Sequence, residues 1–268
     1  ELADTGLATS DEAEQRLNLP HLGNIPLLKS VDDTADAPAD HLLKRPLSAF
    51  AEAFRGLRTS VSYSRLGDPA TVIGVTSSLP GEGKTVTAVC MARSYAIQGL
   101  STVLVDSDVR RRSVGRLLGL EPEVGLVEVL SGATSLDQAL LTDPGSDLRL
   151  LLLSKGSFTP KDLFGSRQMD ALILDLRSRF DIVIFDTAPI LPVADTRLLA
   201  PKLDTMVFLT RWRKTPGKAA EAALRFLRAA DAHVAGVALS QVDMKQQARF
   251  GYGDAAYYYN DYKKYYAA

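Results

Sequence analysis

The chain has 268 residues, 46% hydrophobic and 24% charged, enough for a full α/β core and ordinary for a globular cytosolic protein. A single cysteine, Cys90, excludes an internal disulfide, no Cys/His spacing suggests a structural metal site, and there is neither a signal peptide nor an apolar run approaching the roughly 18 residues of a membrane span. The net charge of −1 divides into −7 over residues 1–40 and +6 over the rest, a body suited to phosphate ligands or an anionic surface.

In chain order, residues 1–44 are polar and alanine-rich and are expected to form a largely extended arm, with "LPHLGNIPLL" as a short docking segment. A helix is expected from Pro46 through "SAFAEAFRGLRTSVSYSR". From residue 71, short Val- and Ile-rich runs alternate with stretches of helical length at 84–98, 166–179 and 216–231. The runs are "TVIGVTS", "STVLVD", "DLRLLLL", "DIVIFD", "TMVFLT" and "HVAGVALS". Nearly continuous apolar strands alternating with helices predict a mostly parallel sheet covered on both faces, a three-layer α/β fold. Met91, Tyr95 and Phe226 are expected core residues.

The first strand runs into Ser77-Ser78-Leu79-Pro80-Gly81-Glu82-Gly83-Lys84-Thr85. This matches G-x-x-x-x-G-K-S/T except that Ser78 takes the place of the first glycine. Such a loop wraps phosphates with its backbone N–H groups at the positive end of a helix. Pro80 to Val86 (Pro80, Gly81, Glu82, Gly83, Lys84, Thr85, Val86) is the expected nucleotide-binding stretch, with Lys84 reaching the β- and γ-phosphates and Thr85 on Mg²⁺. The strand "TVLVD" ends in Asp106-Ser107-Asp108-Val109-Arg110, and "DIVIFD" ends in Asp186. Ligands of such sheets sit at the carboxyl ends of strands, so Asp106, Asp108 and Asp186 are expected beside the loop. Thr85, Asp106, Asp108 and Asp186 are the candidate metal ligands. Asp106, then Asp108, is the candidate base, and Lys84 and Arg110 would stabilise a moving phosphoryl group.

"SSLPGEGKT", "VLVDSDVRR" and "DIVIFDTAP" together closely resemble the phosphate-loop fold of the bacterial tyrosine kinases of exopolysaccharide and capsule export, whose Walker A, A′ and B motifs they match. The resemblance runs from about residue 45 to the end, and "LPHLGNIP" is similar to the family's juxtamembrane segment. It implies three parts: a juxtamembrane arm over 1–44, a kinase domain over 45–251 and a tyrosine tail over 252–268. It implies MgATP as cofactor and a place at the cytoplasmic face of the inner membrane, beside a fused or separate transmembrane activator. Its partners would include a cognate tyrosine phosphatase and no nucleic acid. "EAFRGLR" matches the family's E-x-x-R-x-x-R, which implies that Glu52, Arg55 and Arg58 bridge subunits of a ring, commonly of eight. Where the family often has Asn, Ser240 stands at a position suited to reading the base.

Seven of the nine tyrosines fall in the last eighteen residues: Tyr252, Tyr257, Tyr258, Tyr259, Tyr262, Tyr265 and Tyr266. Beside a phosphoryl-transfer site, a flexible phenol-rich end reads as the substrate, phosphorylated between subunits. Two alternatives compete with the autokinase. One is a partition or Min-type ATPase switch, whose extra lysine five residues before the invariant one is here Leu79. The other is a nucleotide-binding scaffold without protein phosphorylation.

Overall fold

A computed structural model describes residues 6–64, 69–156 and 163–249. The seven tail tyrosines lie outside the described residues.

The elements in chain order are α1 (Ser10–Leu17), β1 (His21–Pro26), α2 (Leu28–Val31), α3 (Pro38–Lys44), α4 (Ala49–Ser62), β2 (Val72–Ser77), α5 (Lys84–Ala96), β3 (Thr102–Asp106), α6 (Ser113–Leu118) and α7 (Leu126–Leu130). Then follow α8 (Leu136–Ala139), β4 (Leu140–Thr142), β5 (Arg149–Leu151), α9 (Arg167–Arg179), β6 (Ile182–Asp186), α10 (Asp195–Leu199), β7 (Thr205–Arg211), α11 (Gly217–Ala229), β8 (Val234–Val242) and α12 (Met244–Arg249). The strands form one sheet in the order β1-β8-β7-β2-β6-β3-β5-β4. Every neighbouring pair is parallel except β4 with β5.

Helices cover both faces, as the apolar strands require. One core layer joins α1, α7, α9 and α11 to the sheet through residues such as Leu17, Leu126, Leu176 and Leu224. The other joins α4 and α5 through Phe50, Phe54, Ala88 and Met91. Together they make the three-layer α/β arrangement the sequence predicts.

The first part of the chain departs from an extended arm. Residues 10–17 are helical, Thr9 caps them by accepting from Glu12 N, and Leu17 is buried. "HLGNIP" joins the sheet edge as β1, parallel to β8. β8 would otherwise present a row of unpaired backbone groups, and covering that edge satisfies them. α3 docks on α5, where Asp40 meets Arg93 at 3.3 Å. Arg93 is bidentate with the buried Asp143, at 2.8 and 3.0 Å.

α4 begins at Ala49 rather than Pro46, because the Ser48 hydroxyl accepts from Ala51 N and fixes the start. Met91 and Tyr95 are buried as expected. Phe226 is not: it is 40% exposed, with the Arg197 guanidinium 3.5 Å above its ring, a cation–π contact that suits a half-covered aromatic. Cys90 is fully buried, and burial pushes its thiol up to about 12.

Register fixes the geometry of the site. Asp106 at the end of β3 lies level with Asp186 at the end of β6, and Asp186 lies level with Val75 of β2. The loop after β2 therefore leaves the sheet beside both carboxylates.

Candidate active site

β2 ends at Ser77, and residues 78–83 turn the chain into α5, which starts at Lys84. Gly81 and Gly83 have φ of +80° and +88°, a region that costs a residue with a side chain about 1–2 kcal/mol. Ser78 is not among the positive-φ residues, so serine replaces the first glycine of the motif without backbone strain.

The loop is braced from behind. Glu82 accepts from Leu79 N at 2.6 Å and, through its other oxygen, from the Thr215 hydroxyl. Ser240 Oγ donates to the Glu82 carbonyl at 2.6 Å, and Gln241 Nε2 donates to the Gly81 carbonyl at 3.0 Å. Glu82 is thus a buried strut of the loop, and β8 holds it in shape. Donors fixed before a ligand arrives need no reorganisation when it binds.

In front of the loop is a cleft of about 190 Å³, lined by Pro80, Gly81, Gly83, Lys84, Thr85, Val86, Asp108, Arg111, Ser113 and Pro189. Behind its wall, the Thr85 hydroxyl donates to Asp186 Oδ2 at 2.7 Å. Asp106 is fully buried. Its two oxygens accept from Asp108 N at 3.3 Å and Val114 N at 3.1 Å, so it ties down the turn after β3.

Two expected members sit differently. The Arg110 side chain is 63% exposed and 3.7 Å from Asp195, and it does not line the cleft. Arg111 does. The Asp108 carbonyl accepts from Arg111 N and Arg112 N, and this tight turn decides which side chain faces inward. Of the α4 triplet, Arg55 pairs with Glu52 at 2.8 Å on the exposed side. Arg58 instead points inward, donating to the Ser94 carbonyl at 2.7 Å beside the Tyr95 ring.

A second cavity, of about 280 Å³, adjoins the loop at Gly83 and Val86, with Ile25, Pro26, Leu28, Phe50 and Ser240 among its walls. The segment spanning β1 and α2 supplies most of this apolar surface. The sequence pointed to a docking segment here, but not to a wall of the site.

The electrostatics are unbalanced. Burial, then the Asp186 charge, raises Asp106 well above the usual carboxylate range. Burial raises Asp186 too, against the Thr85 hydrogen bond and the nearby Lys84. Burial lowers Lys84, against the surrounding carboxylates. Asp186 Oδ1 is buried with no hydrogen-bond partner. Among the described residues no cluster of three or more His, Cys, Asp or Glu forms a dedicated metal cage. Mg²⁺ asks for none: it takes one or two carboxylates and fills its shell with phosphates and water. The orphaned oxygen, the adjoining hydroxyl and the glycine loop therefore fit a magnesium–nucleotide, which Thr85 and Asp186 could hold.

No family model matches the chain. It is 33% identical to the tyrosine-protein kinase CpsD of Streptococcus pneumoniae over 214 residues, covering 80% of this chain and 92% of that protein. It is 31% identical to the succinoglycan biosynthesis transport protein ExoP of Rhizobium meliloti over 269 residues, 97% of this chain but 34% of that protein. The chain thus spans about a third of that longer relative. The kinase domain of the Escherichia coli tyrosine kinase ETK matches 89% of this chain, and 94% of its own length, with a TM-score of 0.80 at 22% identity, a likeness of fold. A braced phosphate loop with the acidic ends of β6 and β3 beside it, together with a match over nearly the whole of CpsD, places the chain in the family of bacterial tyrosine-protein kinases.

Proposed function

We propose that this chain is an ATP-dependent autokinase that phosphorylates the tyrosines of its own tail between subunits. The observation that carries the reading is the cleft in which Lys84, Thr85, Asp108 and Arg111 converge in front of Asp186. MgATP supplies the γ-phosphoryl group. Loop residues 80–85 would hold the phosphates through their N–H groups, with Lys84 on the β- and γ-phosphates. Ile25, Pro26, Leu28 and Phe50 would take the nucleoside on the apolar side.

A tyrosine hydroxyl has a pKa of about 10 and arrives protonated. Asp108 is the better base, because it lines the cleft while both oxygens of Asp106 are committed to backbone N–H groups. Asp106 positions the turn that carries Asp108. Lys84 and Arg111 would stabilise charge on the phosphoryl group as the phenol oxygen bonds to it and its bond to the β-phosphate oxygen breaks, with ADP as the leaving group and the phenol proton passing to Asp108.

The likeness to an exopolysaccharide transport protein supports a role in polysaccharide synthesis and export at the inner face of the membrane, beside a transmembrane activator and opposed by a phosphatase. Among the described residues no helix is long and apolar enough to cross a membrane. Glu52 and Arg55 remain available for contacts within a ring. Each phosphate adds about −1.5 to −2 of charge, which would loosen that ring. Arg55→Ala should lower the particle mass in light scattering; an unchanged mass removes Arg55 from the interface.

The test of the kinase reading is intact-mass analysis after incubation with MgATP, with fragmentation to place each phosphate. Several phosphates confined to residues 252–266 are expected. ATP hydrolysis with every tail tyrosine unmodified, the membrane activator present, would overturn it.

A further inference from the structure

Next to the catalytic cleft, one residue beyond Arg111, the chain opens a third cavity, a groove of about 440 Å³ that the proposed reaction does not use. Three cations, Arg112, Arg116 and Lys155, and one carboxylate, Glu121, stand around it, over Leu120 and Leu153. Arg112 is anchored by a hydrogen bond to the Ser154 carbonyl at 3.2 Å. Lys155 and Glu121 meet at 3.2 Å, but both are about three-quarters exposed, so the pair is weak and readily exchanged. Arg116 is exposed and pairs with no acid among the described residues.

We infer that this groove docks phosphotyrosine from the C-terminal tail of this chain, a proposal that rests on the autokinase reading. The leucine floor beneath a cationic rim matches an aryl ring carrying a dianion better than it matches a free anion or a neutral phenol. Arginine suits the phosphate oxygens through its fork of N–H donors. Charge supplies the switch. Residues 250–268 hold Asp254 and Asp261 against Lys263 and Lys264, so the unmodified side chains offer a cationic groove no net attraction. Each phosphate changes that by about −1.5 to −2.

Reach permits it. Five strand spacings of about 4.8 Å, roughly 24 Å, separate β8 from β5, and Lys155 lies four residues beyond β5. Nineteen residues follow Arg249, and extended they span up to roughly 60 Å. The groove would thus take the product away from the cleft, leaving the catalytic site free for the next tyrosine.

The test uses the full chain, treated with phosphatase, and a fluorescent peptide of residues 252–266 made with and without phosphate on Tyr262. Anisotropy should show the phosphopeptide binding at least about tenfold more tightly. Arg116→Glu with Lys155→Glu should reduce that preference below about twofold while leaving the melting shift caused by MgADP intact. Arg116→Ala alone should weaken binding about threefold. Phenyl phosphate should displace the phosphopeptide at concentrations where inorganic phosphate does not. Equal binding of the two peptides, or a preference that survives the double variant, overturns the proposal, and displacement by inorganic phosphate as effective as by phenyl phosphate overturns the aryl recognition. Because the phosphate is installed by synthesis, a failure here is separate from a failure of the autokinase reading.

Discussion

The two ends of the same sheet treat aspartate in opposite ways. At the amino end, Asp204 precedes β7 and accepts from Thr71 N and Val72 N, each at 2.9 Å, and from both arms of Arg177. Burial alone would raise its pKa, but these donors outweigh burial and bring it down to about 2. At the carboxyl end, Asp106 and Asp186 are fully buried with fewer donors, and both are raised, burial being joined by the Asp186 charge at Asp106 and by the Asp108 charge at Asp186. Fuller burial and fewer donors together separate the raised carboxylates from the lowered one, since Asp204 keeps 12% of its side chain exposed and Asp106 and Asp186 none. One end is finished by the protein, and the other needs a cation and a phosphate to complete it.

If that contrast holds, the largest effect belongs to the unfinished end. Lys84→Met should lower phosphate transfer to the tail by on the order of a thousandfold, the scale at which a cation serving the transferred phosphoryl group contributes. Transfer within tenfold of wild type, by intact mass over time, would remove Lys84 from the phosphate site.

At the finished end, Asp204→Ala strands two backbone N–H groups and a guanidinium. The cost should be about 2–3 kcal/mol at pH 7, on the scale of hydrogen bonds to a charged group. Since the folded pKa lies below the unfolded one, this stability is present above about pH 4 and is lost as pH falls towards 2. The gap between variant and wild type in urea midpoints should therefore close in acid. A gap that persists at pH 2 would mean that packing, not charge, holds this corner.

Asp186→Asn should have the opposite sign. Its amide oxygen can still accept from Thr85, and the buried charge at position 186 is gone. A carboxyl raised to about 7 in the folded state keeps a proton that the unfolded chain has released, so stability falls as pH rises from about 4 to 7. Without nucleotide, the variant should melt higher than wild type at pH 8, by about 3 °C or more. The two should coincide at pH 4, and the variant should lose the stabilisation by MgATP. A lower melting temperature at pH 8 would show that Asp186 is as well satisfied as Asp204.

The unfinished end was the legible one. Phosphate chemistry demands Gly81, Gly83, Lys84 and Thr85 at fixed spacing, and strands that end in aspartate announce themselves. What the sequence hid depends on contacts distant in the chain. β1 reads as a polar, Pro- and Gly-containing segment, and it becomes a strand because β8 offers an edge. Arg111 and not Arg110 faces the cleft because of a turn fixed by the Asp108 carbonyl. Arg58 belongs to the protomer interior because Ser94 and Tyr95 on α5 receive it, although the resemblance implied that it bridges subunits with Glu52 and Arg55.

The smallest effect checks whether donors or position define the finished end. Asp181 also stands just before a strand and also accepts from a neighbouring chain segment, taking Ser101 N at 2.9 Å and the Ser101 hydroxyl at 2.8 Å. It differs from Asp204 in being exposed, and among the described residues it meets Ser101 and no arginine. Water can take the place of the carboxylate as acceptor when the Asp181 side chain is removed, whereas at Asp204 the N–H of the buried Val72 is left under cover. Asp181→Ala should therefore cost no more than about 0.5 kcal/mol, the usual range for exposed sites, and show little dependence on pH. A loss above about 1.5 kcal/mol would mean that standing at the amino end of a strand, and not the burial of the donors, is what makes these aspartates structural.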